Sequence, residues 1–313
     1  MKRILFFIAA SLMSLLSCNE PTEESGTGVQ IIPDCRRFSP FITTVGFNAQ
    51  RSAFSTSDRK IKGLTLVELS ATAGVENRVY QHPSWKQAGS MGPIVITEDG
   101  SVYAAPIPVV NVLENDPLKQ NIIYKVDPSN GEMKPFIELP SAEKPTAENP
   151  FGILGLAYDC ESGILYATSV SGSTRSKEAG RIFSIQTKNE PKVIDIIEHT
   201  DAMGVDICYF NDQKTLFFGK TRTSDIFSVA VKDNGSFKGK PVSRFSLEGV
   251  GPRGDDKARK IRFDKVGSMI VHGVEFYYNL IAPTEKQETM YQFNYNLTEG
   301  KWEYKNKGQL LQN

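Results

Sequence analysis

The sequence predicts an all-β fold: a β-propeller of four-stranded antiparallel blades, of which five can be counted and a sixth would need a degenerate copy. Three observations lead there. Short apolar strands alternate with tight turns rich in Gly, Asp and Asn, as hairpins require. The hairpins come in pairs, and the pair recurs in the same order with a unit of about 45–65 residues, a period that marks repeat architectures. Apolar spacing of the helical kind is nowhere sustained over about ten residues. A β-sandwich would also show regular strands, but not this paired-hairpin repeat.

The chain opens on MKRILFFIAASLMSLLSC. Lys2 and Arg3 precede an apolar run from Ile4 to Leu16, too short to span a bilayer and suited to a signal peptide over residues 1–17. Leu15-Leu16-Ser17-Cys18 resembles the lipobox of bacterial lipoproteins. That resemblance implies acylation of Cys18 and a lipid anchor in the bacterial outer membrane, facing the periplasm or the cell surface. An ordinary secretory signal cut nearby is the alternative. Residues 18–38 read as the acylated cysteine and a flexible tether, because NEPTEESGTG is polar, acidic and poor in apolar side chains. An acidic stretch in that place resembles surface-export signals of Bacteroidota lipoproteins and equally suits a solvated spacer.

Residues 39–313 form the propeller domain. The first hairpins of its blades are TTVGFNAQRSAFSTS (the weakest), PIVITEDGSVYAA, LGLAYDCESGILYAT, VDICYFNDQKTLFFG and RKIRFDKVGSMIVHG. Each is followed by a second hairpin, such as NIIYKVDPSNGEMKPFIEL or TMYQFNYNLTEGKWEYKN. The blades are expected to begin near Phe41, Gly92, Gly152, Gly204 and Arg259. The strand-like VQIIP at Val29–Pro33 is the segment from which a sixth could be built.

Charge and cysteine content bound the function. With 36 basic and 36 acidic residues, nothing points to nucleic acid as a partner. Beyond Cys18 the cysteines are Cys35, Cys160 and Cys208, without the spacing of a zinc site. One disulfide is allowed in an oxidising compartment, with the pairing open. Cys208 lies within an apolar strand and is expected to be a small buried hydrophobe. No GxSxG elbow or phosphate-binding loop occurs. His82, His199 and His272 fall at strand ends or loop edges, none at ligand spacing from another, so structural roles are expected ahead of a catalytic base.

Propeller geometry sorts the loops. Turns within hairpins are short here (EDG, ESG, DPSNG, KDNG, LTEG), whereas the connections between and after hairpins are long and chemically mixed. Long loops are expensive to order and usually carry function. The long-loop face is therefore the expected ligand-binding face. On it lie Trp85, Arg175, Asp201, Arg222, Arg253, Asp255, Asp256, Arg259, Tyr277 and Tyr278. The guanidinium groups suit carboxylate or phosphate, and the rings suit sugars or peptides. The alternative is that these arginines pair with Asp201, Asp255 and Asp256 across the blades. The Arg253-Gly254-Asp255 tripeptide carries little weight as an adhesion signal, being short enough to arise by chance.

The segment DAMGVDICYFNDQKTLFFGKTRTSDIFSVAVKDNGSF is similar to a blade of the six-bladed propellers typified by gluconolactonase and regucalcin, related to NHL-repeat and TolB-like propellers. MGPIVITEDGSVYAA and NPFGILGLAYDCESGILYAT fit the same template. The resemblance covers the whole domain as architecture. It implies a divalent metal in the channel, held by a Glu before Gly-Pro, by Asn residues just before the inner-strand Gly, and by an Asp after a second strand. The matching places hold Met91, Phe151 and Met203, with Ser169 or Lys220 at the last. Thioether, phenyl and ammonium groups cannot replace hard oxygen ligands. No metal and no cofactor is therefore expected, and Met91, Phe151 and Met203 are expected to form an apolar floor to the channel. The function expected is binding of a small molecule, glycan or envelope protein. The alternatives are a hydrolase or lyase of gluconolactonase-like ancestry with an altered, non-metal site, and a scaffold lipoprotein of an envelope complex.

Overall fold

Period-two alternation folds the chain into five antiparallel sheets, seen in a computed structural model that describes residues 28–56, 61–72, 74–109, 116–143, 146, 148–280 and 288–311. The expected signal peptide, Cys18 and most of the expected acidic tether lie outside the described residues. β1 (Val29–Ile31) and a single helical turn, α1 (Phe41–Thr44), precede the first blade, made of β2 (Ser52–Ser55), β3 (Thr65–Glu68) and β4 (Arg78–Tyr80). The second blade is β5 (Met91–Ile96), β6 (Val102–Pro106), β7 (Ile122–Val126) and β8 (Met133–Glu138). The third is β9 (Ile153–Asp159), β10 (Ile164–Ser169), β11 (Arg181–Gln186) and β12 (Lys192–Ile197). The fourth is β13 (Ala202–Phe210), β14 (Gln213–Lys220), β15 (Asp225–Val231) and β16 (Phe237–Ser246). The fifth is β17 (Lys257–Phe263), β18 (Met269–Val274), β19 (Glu288–Asn296) and β20 (Lys301–Leu311). Within each blade, strands adjacent in sequence are adjacent in space, as a β-propeller requires.

Alternation also explains how the blades hold together. Adjacent residues of one strand face opposite ways, so each strand serves two interfaces. Phe217 enters the layer between the fourth and fifth blades with Ile261 and Tyr291, while Phe218 enters the layer between the third and fourth with Tyr166 and Ile182. Phe183 and Leu165 face the second blade, against Tyr103 and Ile123. Leu66, Trp85, Val102 and Tyr124 join the first blade to the second. Each such side chain, buried to a few per cent exposure or less, contributes about 1.5–3 kcal/mol by leaving water.

The first blade departs from the sequence expectation. In place of the weak opening hairpin, Phe41–Thr44 is helical and Ala49–Arg51 is a 3₁₀ turn, so three strands are described there. Phe41 and Ile42 are buried on the second blade's side, and the turn that delivers them to that core replaces the strand. VQIIP is likewise not the seed of a sixth blade. β1 adds to the edge of β13, with Val29, Gln30 and Ile31 opposite Phe210, Tyr209 and Cys208, making the fourth sheet five-stranded.

Residues 28–41, most of them read from sequence as tether, run as a strap along the short-turn face. Asn211 N–H donates to Gly28 O at 2.8 Å on the fourth blade. Cys35 is disulfide-bonded to Cys160 in the β9–β10 turn of the third. Arg37 N–H donates to Thr97 O at 3.2 Å, Ser39 Oγ donates to Gly100 O, and Phe41 N–H donates to Pro128 O at 3.0 Å on the second. Gly100, at φ +80°, is what lets the strap lie so close, since a Cβ there would stand 2.9 Å from Ser39 Cα. Cys208, the remaining cysteine among the described residues, is buried and unbonded.

Candidate functional site

The long-loop face is organised around two buried carboxylates, each one residue ahead of an inner strand. Asp201 precedes β13 and is fully buried. Its Oδ1 accepts from Gly180 N–H at 2.8 Å and from Ser173 Oγ. Its Oδ2 accepts from Arg222 Nε at 2.7 Å and from the Tyr278 hydroxyl at 2.5 Å. Arg222 extends past Asp201 to donate to the carbonyls of Thr174, Arg175 and Lys177, and its guanidinium lies 5.2 Å from the Tyr278 ring centre. Burial and the hydrogen bond to Asp201 push the Tyr278 hydroxyl well above its ordinary pKa.

Asp256 repeats the arrangement ahead of β17. Arg253 Nε and Nη2 reach its two oxygens at 2.5 and 3.0 Å, and Tyr291 OH donates to it at 2.6 Å. Nη2 of Arg253 also donates to Gly273 O at 3.2 Å and to Thr289 Oγ1 at 2.9 Å. The hydrogen bond to Asp256 raises the Arg253 pKa further. Asn149 does related work ahead of β9, donating to the carbonyls of Val170 at 2.7 Å and Ser173 at 2.9 Å. These polar side chains pin loop to loop, which is what satisfied buried polar networks do.

Between the pinned loops lies an apolar cluster of Leu154, Val170, Met203, Val274 and Tyr278, with the half-buried Phe151 and Phe276 against it. Phe276 stands 5.4 Å from Phe151 and 5.3 Å from Tyr278, ring centre to ring centre. Tyr277, between Phe276 and Tyr278 in sequence, hydrogen-bonds Glu275 and feels the charges of Asp255 and Arg175. Asp255 and the Arg175 side chain are exposed.

Trp85, assigned to this face from sequence, and Met91, expected in the channel floor with Phe151 and Met203, lie elsewhere. Trp85 is fully buried between the first and second blades, ringed by Phe41, Phe54 and Tyr80, with Nε1 donating to Gly131 O at 2.8 Å. An indole placed in a 3₁₀ turn beneath two sheets fills that layer and cannot stack on a ligand. Met91 joins the same layer and not the cluster of Phe151 and Met203.

A third group lies on the inner strand of the last blade. Ile261, Val271 and Tyr291 pack on the fourth blade, so their neighbours Lys260, Arg262, His272 and Met290 occupy the opposite face. A register irregularity between Ala258 and Lys260 frees Arg259 to turn outward, where it pairs with Glu288. Glu288 Oε2 also meets His272 Nδ1 at 3.1 Å, and this contact holds the Glu288 pKa below its ordinary value. Lys260 is pulled down to about 8 by burial and by Arg262 and Arg259, with Arg36 of the strap adding to the effect. Asp206 on β13, half-buried, accepts from Ile207 N–H at 2.9 Å and Phe263 N–H at 3.1 Å and is pushed up to about 6 by desolvation. Glu288, Asp206, Arg36 and Phe276 were not singled out from sequence. The one readable signal was the alternation in RKIRF, which sets Lys260 and Arg262 on one face.

Among the described residues no group of three or more His, Cys, Asp or Glu is arranged to hold a metal ion. The places matched to lactonase ligands are otherwise engaged: Ser169 Oγ donates to Asn121 Oδ1 at 2.7 Å, and Lys220 pairs with Glu178 at 2.5 Å.

No protein-family model and no curated protein matches the chain. Solved structures similar to it include two proteins assigned provisionally as 6-phosphogluconolactonases. The one from Bacteroides fragilis is 11% identical, with a TM-score of 0.47 over 84% of this chain and 83% of its own. The one from Bacteroides uniformis is 14% identical, with a TM-score of 0.43 over 80% of this chain and 65% of its own. The periplasmic gluconolactonase of Pseudomonas aeruginosa is 10% identical, with a TM-score of 0.45 over 81% of this chain and 80% of its own. The fold assignment rests on the strand pairing described above.

Proposed function

We propose that this protein is a ligand-binding propeller of the bacterial envelope, lipid-anchored through Cys18, that takes a small molecule, glycan or protein segment on its long-loop face. One observation carries the reading. Arg222 and Arg253 are committed to buried Asp201 and Asp256, so they hold the loops rigid, while Phe151 and Phe276 stay half-exposed between those loops beside Tyr277 and Arg175. A preorganised apolar platform with a polar rim suits a ring-bearing ligand, because little loop entropy is lost on binding. A panel of saccharides, uronic acids and aromatic carboxylates, screened by thermal shift, tests it. The expected result is an upshift in the parent that Phe276→Ala abolishes without changing the unliganded melting temperature by more than a few degrees. An upshift indifferent to Phe276→Ala, or none across the panel, sinks it.

The His272–Glu288 contact favours a second reading, that of a hydrolase. Glu288 orients the imidazole through Nδ1, the arrangement by which a histidine is prepared as a general base. Lactone hydrolysis that survives in His272→Gln overturns this reading.

A further inference from the structure

We propose that the channel-side edge of β2 in the first blade is a strand-addition site, which takes an extended segment of a partner protein whose side chains alternate between apolar and polar. This site is separate from the long-loop platform and does not depend on that reading.

The topology comes first. In the second to fifth blades an inner strand leads through a short turn into the next strand, which then enters a long connection. β2 also enters a long connection, residues 56–64, and β3 pairs with β2 and β4, so β2–β4 are the second to fourth strands of their blade. The helical turn α1 and the 3₁₀ turn stand in the chain where an inner strand belongs. The inner strands β5, β9, β13 and β17 pack side by side in that order, and among the described residues the row ends at β5 and at β17. Burial marks the two ends. β9 and β13, flanked on both sides, are buried at all but Tyr158, Asp206 and Tyr209, whereas β5 is half-buried from Gly92 to Ile96 and β17 carries the exposed Arg259 and Arg262.

The edge itself is unpaired. Leu69 N–H donates to Arg51 O at 2.9 Å, and in the same register Ala53 stands opposite Val67. The backbone groups of Ala53 therefore point at β3, and the N–H and C=O groups of Ser52 and Phe54 point the other way. Among the described residues none of these groups on Ser52 and Phe54 has a hydrogen-bond partner, although both residues are buried. Buried backbone groups are nearly always paired, and a strand edge with unpaired ones is a template for a further strand. The surroundings select the occupant. Phe54, Met91, Ile94 and Ile96 belong to the apolar layer shared with the second blade, so one side of an added strand must be apolar. Its alternate side chains face the opposite way, toward the side where the row of inner strands is not continued, and are polar. After Cys18 the longest stretch of the chain outside the described residues is 19–27, NEPTEESGT, which is polar and contains Pro21. It does not have the alternation required, so the occupant comes from another protein.

The test uses the full-length protein and a library of short capped peptides in which apolar and polar residues alternate, set against a library of the same composition in shuffled order. Affinity selection is expected to enrich the alternating set. At about ten times its Kd, a selected peptide is expected to slow amide exchange at Ser52 and Phe54 by about tenfold and to leave Val229 of the fourth blade unchanged. Pairing along one edge uses only every second amide of the peptide. N-methylation of one alternate set is therefore expected to weaken binding by about tenfold or more, and methylation of the other set to leave it unchanged. No enrichment of the alternating library, no slowing at Phe54, or equal effects of the two methylated sets overturns the proposal. So does Phe54 exchange that is slow without peptide and either quickens when residues 19–27 are deleted or follows protein concentration. Those results assign the edge to the chain itself or to a second copy.

Discussion

Asp201 and Asp256 do the same work in consecutive blades. Each stands immediately before an inner strand, is fully buried, and receives one guanidinium and one phenol. Arg222 comes from the next loop in the chain and Tyr278 from the fifth blade, so Asp201 ties three connections together. Replacing it by alanine leaves Arg222 and Tyr278 without their acceptor in a desolvated place, a loss of about 3–5 kcal/mol for a broken buried pair. Asp201→Ala is therefore expected to lower the melting temperature by at least about 6 °C for a domain of this size, measured by calorimetry. A change within about 1 °C would show that the loops hold without the carboxylate. The pairing of loop arginines with Asp201 and Asp256 was one of two readings open in the sequence. Choosing between them needed the distances, because a Thr-Arg dipeptide looks the same whether its guanidinium meets a ligand or a neighbouring loop.

At the scale of the element, the strap is the feature that alters the molecule most. Its sequence reads as tether as far as residue 38, but from Gly28 onward every few residues make a bond to a different blade. Its disulfide spans a sequence separation of 125, and closing so long a loop removes about 4–5 kcal/mol of unfolded-state entropy in the chain-entropy account. Cys35→Ser with Cys160→Ser is expected to lower stability by about 2–4 kcal/mol. It is also expected to make the backbone amides of Arg37 and Phe41 exchange faster, as followed by hydrogen exchange. Unchanged exchange at those amides would show that β1 and Ser39 hold the strap unaided. Hairpins of the second to fifth blades were legible because turn chemistry and alternation are local. The first hairpin was not, since Phe41 and Ile42 answer to the second blade's core and not to a strand partner of their own.

At the scale of the whole molecule, four interblade layers among the described residues are built from alternate residues of shared strands, so the blades are held together by repetition. The positions matched from sequence to metal ligands hold Phe151 and Met203 in an apolar cluster, and Met91 in an interblade layer. Calcium at millimolar concentration is accordingly expected to leave the melting temperature unchanged. A saturable upshift of several degrees would show a site built from other residues.

What the sequence by itself determined is the propeller, the positions of its second to fifth blades, and the division into a short-turn and a long-loop face. These follow from period-two patterning and turn residues, which act within a few positions of one another. Only the tertiary structure decided that Cys35 joins Cys160, that VQIIP edges the fourth blade, that Trp85 is core, and that Arg222 and Arg253 are spoken for. Those outcomes depend on which side chains meet across blades far apart in the chain, and charge placement across such distances leaves no periodic trace to read.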